Sequence, residues 1–153
     1  MPLPPERSPS GRTRFPAHGA FDVRMVEGPA LCVVHVDATG PFNREMVDRV
    51  REGLTQTLMD AAARRLPLGH IATFHSSMLA TPEAFDAFGE LIARWRSLDI
   101  LPAATAYVAC ADVEGRNLVM AHYRRAWAGH HFEAFAHRAA AETWMADALA
   151  HRG

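Results

Sequence analysis

A chain of 153 residues, 49% of them hydrophobic, is long enough to bury one core without a disulfide or metal staple. Its 16 basic and 17 acidic residues are spread along the chain and leave a formal charge of −1, so no basic stripe draws a nucleic-acid backbone. Every one of the 16 basic residues is arginine, which excludes a lysine-bearing phosphate loop and Schiff-base chemistry.

The opening "MPLPPERSPSGRTRFPAH" holds half of the ten prolines and only Leu3 and Phe15 as sizeable apolar residues beyond the initiator. It reads as a disordered arm over residues 1–18, with an α/β domain over 19–153. Its short apolar content does not make a secretory core, and its proline density opposes a transit helix. No apolar run approaches the roughly 18 residues of a membrane span. The two cysteines, Cys32 and Cys110, sit at the edges of apolar runs and read as free thiols in a reducing cytoplasm.

From Phe21 the elements alternate. "FDVRMVEG" and "ALCVVHVDA" predict a hairpin of Phe21 to Val26 and Leu31 to Ala38, turning at Gly28-Pro29. Asn43 can cap a helix in which Val47, Val50, Leu54, Leu58 and Ala61 recur at helical spacing, with Glu45 and Arg49 as an i,i+4 pair. "GHIATFHS" predicts a strand, and the segment after Pro82 a helix with Phe85, Phe88, Ile92 and Trp95 on one face. "AATAYVAC" is a further strand, followed by a helix with Leu118, Val119, Tyr123 and Ala126 inward. "HFEAFAH" alternates as a last strand, and the final helix turns Ala141, Trp144, Met145, Ala148 and Leu149 to its apolar side. The order ββαβαβαβα predicts a mixed five-stranded sheet with four helices, the first strand antiparallel and the rest parallel.

Four stretches together, "TGPFNREMVDRVREGL", "SSMLATPEAFDAFGELIARWRSLDILPAATAYV", "GRNLVMAHYRRAW" and "FEAFAHRAAAETWMADAL", resemble the bacterial STAS-like proteins related to the sporulation anti-anti-sigma factor. The resemblance runs from Phe21 to about Leu149. It implies a small α/β domain that works by regulatory protein–protein interaction without catalysis. A neighbouring branch resembles the CRAL-TRIO lipid carriers, which implies as the alternative a carrier of a lipid or other apolar small molecule. Neither implies a cofactor, and a homodimer is compatible with both.

In phospho-switched STAS proteins the acceptor is a serine in an Asp-Ser-Ser-Gly run at the start of the helix after the central strand. Laid on this chain, that run falls on Thr81, Pro82, Glu83 and Ala84, so the usual acceptor is missing. Ordinary capping accounts for the segment: Thr81 suits the N-cap, Pro82 the first helical position, and Glu83 the positive end of the dipole, where an anion gains roughly 0.3 to 1 kcal/mol. Ser76, Ser77, Thr81 and Glu83 still define a candidate switch or docking loop.

Of nine histidines, none forms a His-x-x-x-His or Cys-x-x-Cys pattern, and His130-His131 would point to opposite sides of a strand, so no metal site is expected. A buried strand histidine such as His35 reads as hydrogen-bonded core. There is no Gly-x-Ser-x-Gly elbow, and Cys110 would need a nearby cation such as Arg116 to become reactive. Phe42, in "TGPFN", and Trp95 and Trp127, each beside arginines, are the interface candidates, with packing as the competing role.

Overall fold

β-branched and aromatic residues at alternating positions build the sheet. In the computed structural model, which describes residues 6–7 and 13–151, the long strands are β3 (Ala20–Glu27), β4 (Cys32–Thr39), β5 (Leu68–His75), β6 (Ala104–Val108) and β7 (Phe132–Phe135). They are preceded by a two-residue pair, β1 (Glu6–Arg7) antiparallel to β2 (Thr13–Arg14). The sheet order is β3-β4-β5-β6-β7, with β3 antiparallel to β4 and every later neighbour parallel. This is the mixed five-stranded sheet the alternating pattern predicts. No described helix is long and apolar enough to cross a membrane.

The helices are α1 (Arg44–Ala62), α2 (Pro82–Ser97), α3 (Arg116–Ala126) and α4 (Arg138–Ala150). Each of the first three connects parallel neighbours and steps the sheet along by one strand. Crossovers of one hand stepping in one direction place their helices on one face, and α1, α2 and α3 share one core with alternate strand residues such as Val34, Val36, Ala72, Phe74 and Tyr107. On the opposite face, among the described residues, α4 is the helix that packs, over Val33, Ile71, Ala104, Ala106 and Val108. α4 contacts β5, β6 and β7, while Asp22, Arg24 and Val26 of β3 stay exposed on that side. Gly69 of β5 permits the close approach of α4, because a Cβ there would collide with the Sδ of Met145.

Much of the arm expected over residues 1–18 lies outside the described residues. Within it, the chain from Phe15 is fastened to α1: the Asn43 side chain accepts from the His18 amide at 2.9 Å and donates to the Pro16 carbonyl at 2.8 Å. The same Asn43 oxygen accepts from the Met46 amide at 3.1 Å and caps α1.

One predicted helix face needs correcting. Leu118 is 77% exposed, because the buried line of α3 runs through Val119, Tyr123 and, just past its end, Trp127, with Met120 and Ala126 packed beside it, and Leu118 points away from that line. The expected Glu45–Arg49 pair is likewise replaced by Arg44, which lies 3.6 Å from Asp48 and 2.9 Å from Glu90 of α2.

Candidate functional site

The core between the sheet and its three helices is not completely filled. A cavity of about 30 Å³, measured as space open to water centres, lies between β4, β5 and β6 on one side and α1, α2 and α3 on the other. A water requires about 10–15 Å³ on this measure, so the space holds roughly two. Its walls are almost wholly apolar, from Val36 and Ala38 through Val47 and Leu54 to Phe74 and Trp95. Of the lining residues only Phe21, Ala80, Phe85 and Phe88 keep some exposure, and they mark where the cavity nears the surface.

One polar side chain in this wall has no partner. His70 sits in β5 between Leu68 and Ala72, in phase with the buried face, and it is fully enclosed. Neither Nδ1 nor Nε2 makes a hydrogen bond. Its ring packs against aromatic neighbours, with centroids 5.9 Å from Trp127 and 6.4 Å from Tyr107. Burial, helped by the charge of nearby His35, pushes its pKa down to about 4, so at neutral pH it is an uncharged imidazole with one donor and one acceptor to offer. The phenol and indole groups in this core are matched. Tyr123 Oη donates to the Met78 carbonyl at 3.0 Å, Trp127 Nε1 donates to Tyr107 Oη at 2.9 Å, and Trp95 Nε1 donates to Thr55 Oγ1 at 3.0 Å.

The interface candidates belong to this interior. Phe42, Trp95 and Trp127 are 4%, 0% and 1% exposed, so none is presented to a partner. Their arginine neighbours do not hold the indoles at the surface, because each indole reaches inward to a hydroxyl that satisfies its N–H. Phe42 packs between Phe21, tilted to it, and Phe74, edge to face, with centroids 5.2 and 6.2 Å away, and forms part of the cavity wall.

The candidate loop divides in the same way. Ser77 is buried, donates to Glu114 at 3.0 Å and accepts from the Leu79 amide at 3.0 Å, so its hydroxyl is already used on both sides. Backbone bonds from Gly40 to Ser77, Phe42 to Leu79, Met78 to Glu114 and Glu114 to Ser76 stitch the loops after β4, β5 and β6 together. Thr81 accepts from the Ala84 amide at 3.1 Å and caps α2, with Pro82 following it and Glu83 exposed in the first turn. Ser76 is exposed and takes a left-handed backbone conformation, φ 63°.

On the opposite face two histidines have partners. His35 Nδ1 accepts from the Arg138 guanidinium at 3.1 Å, and His75 Nε2 lies 2.8 Å from Asp37 Oδ1, a bond that lowers the Asp37 pKa. Among the described residues no group of three or more His, Cys, Asp or Glu side chains could hold a metal ion. The exposed Cys110 thiol donates to Asp112 at 2.6 Å, and that bond raises its pKa, the opposite of what a nucleophile needs.

His70 was the residue missed from sequence. The signal was its phase: Leu68, His70, Ala72 and Phe74 alternate along one strand, which places the imidazole on the apolar face. What phase does not reveal is that the surrounding core withholds every partner. Compared with family models and with curated proteins, the chain matches none.

Proposed function

We propose that this chain is a STAS-like binding domain without catalytic chemistry of its own, which takes a compact, uncharged, mostly apolar small molecule into the cavity beneath α1, α2 and α3. The observation that carries this reading is the buried imidazole of His70, with two unpartnered nitrogens in an otherwise apolar wall. An unsatisfied buried polar group costs about 1–3 kcal/mol. A ligand hydroxyl or amide recovers that cost, while apolar walls favour its hydrocarbon part. A charged ligand is disfavoured, since no opposite charge lines the space. The cavity as it stands takes only a few atoms, and a larger ligand enters by displacing the half-buried Phe85 and Phe88 rings.

Native mass spectrometry of gently purified protein tests this, alongside thermal shifts with phenol and toluene as probes. The expected result is a non-covalent organic mass that disappears on denaturation, and a larger shift with phenol than with toluene. His70→Phe should remove that preference. A bare mass, with neither probe shifting the melting temperature at millimolar concentration, overturns the reading.

A second reading, regulatory protein–protein interaction, is favoured by the uncovered half of the sheet. There Asp22, Arg24 and His75 are exposed beyond the reach of α4, with Asp37 half-exposed beside them. A partner captured by the parent and lost on Arg24→Ala or His75→Ala supports this reading, and capture unchanged by both counts against it.

A further inference from the structure

The sheet has unequal edges. β7 offers four residues, whereas β3 offers eight, and within the described residues β3 is hydrogen-bonded only to β4. The ladder runs from Ala20 opposite Thr39 to Glu27 opposite Cys32 without a slip, and no proline or glycine interrupts β3. Edges of this length are commonly blunted by proline, bulges or covering segments.

The turn fixes which backbone groups face outward. Gly28 donates to the Leu31 carbonyl at 2.9 Å, one step beyond the Glu27–Cys32 pair. Bonded and non-bonded pairs alternate along an antiparallel ladder. The pairs of Val26, Arg24 and Asp22 with β4 are therefore the bonded ones, and Phe21, Val23, Met25 and Glu27 turn their N–H and C=O groups to the open edge. The side chains of Phe21, Val23 and Met25 are half-buried against the helical core, while Asp22 and Arg24 are exposed on the other face.

We propose that β3 pairs with β3 of a second copy, antiparallel about a two-fold axis at Val23, so that two five-stranded sheets become one of ten strands. In this register Val23 bonds to Val23 of the partner subunit, and Phe21 bonds to Met25 of the partner subunit, about six backbone hydrogen bonds in all. Asp22 then lies opposite Arg24 of the partner subunit on both sides of the axis. These fall in non-bonded pairs, where side chains stand closest.

Charge selects this register over its neighbours. A slip that brings the axis to Asp22 opposes two aspartates, and one that brings it to Arg24 opposes two arginines, both unfavourable. Within the chain Asp22 already faces Asp37 across the ladder, and neither Asp22 nor Arg24 has an ion pair with a described residue. The second copy supplies the counter-charge that each lacks. Its isologous geometry closes at two chains.

Sedimentation equilibrium of the full chain over a concentration series tests the proposal, with circular dichroism to establish that each variant is folded. The parent should be dimeric. Asp22→Arg and Arg24→Asp each place like charges across the axis and should weaken the dimer roughly tenfold or more. The double variant Asp22→Arg with Arg24→Asp restores opposite charges and should recover dimerisation, and Val23→Pro, which removes a central donor, should give monomer. A parent that is monomeric at about 100 μM, well above the micromolar range of weak dimers, overturns the proposal. So does a dimer that neither the single variants nor Val23→Pro weakens, since its interface then lies elsewhere.

Discussion

His70 is costly to keep. Its ring is enclosed, neutral and unpartnered, so a phenyl ring of similar size should stabilise the free protein. We expect His70→Phe to raise stability at pH 7 by about 1–3 kcal/mol, the cost of stranded polar groups. The pH dependence follows from the sign of the shift. The folded-state pKa is about 4 against an ordinary 6.5, so between these values the unfolded chain binds more protons and stability falls as pH is lowered. A difference of this size corresponds to about 3 kcal/mol. That loss is absent above pH 6.5 and complete below about pH 4. Urea denaturation at pH 7 and pH 4 should find the parent losing roughly 3 kcal/mol more than His70→Phe. An equal loss in both would mean that the ring is not isolated from solvent as described.

Among the elements, α1 depends most on one side chain. Asn43 joins the Met46 amide, the His18 amide and the Pro16 carbonyl, so it caps the helix and fastens the incoming chain together. Asn43→Ala should cost about 2–3 kcal/mol, a capping term of about 1 plus two further bonds, read as a lower urea midpoint with little change in slope. Asn43, Thr81 and Pro82 were legible as caps because helix starts are local: a short side chain reaches the amide three residues on, whatever the rest of the fold does. The alternation of strands and helices was legible for the same reason. Leu118 was not, because helical phase gives a face without saying how wide a stripe the neighbours cover. Trp95 and Trp127 carry arginine neighbours on the same helix and still turn inward, each with its N–H on a buried hydroxyl.

At the scale of the molecule, unequal cover of the sheet sets its weak points. Three helices close one face, and a single thirteen-residue helix closes part of the other. A chain ended at His137 should leave Val33, Ile71, Ala104, Ala106 and Val108 in water. We expect it to bind ANS strongly and to aggregate, whereas a chain retaining α4 stays dispersed. Light scattering alongside dye fluorescence separates these outcomes. The cavity was the least legible feature of all, since it is set by how sixteen side chains from many elements fail to meet, and no local pattern records a gap.

The strict order β3-β4-β5-β6-β7 also bears on how the molecule is made. Each strand joins the edge left by the one before it, so growth proceeds at one side only as synthesis advances. The residues of β3 and β4 leave the ribosome before those of the three later strands, which follow at about 5–20 residues per second. If β3 pairs as proposed, neighbouring ribosomes on one messenger would bring β3 edges close together, and pairing between nascent chains could begin during synthesis.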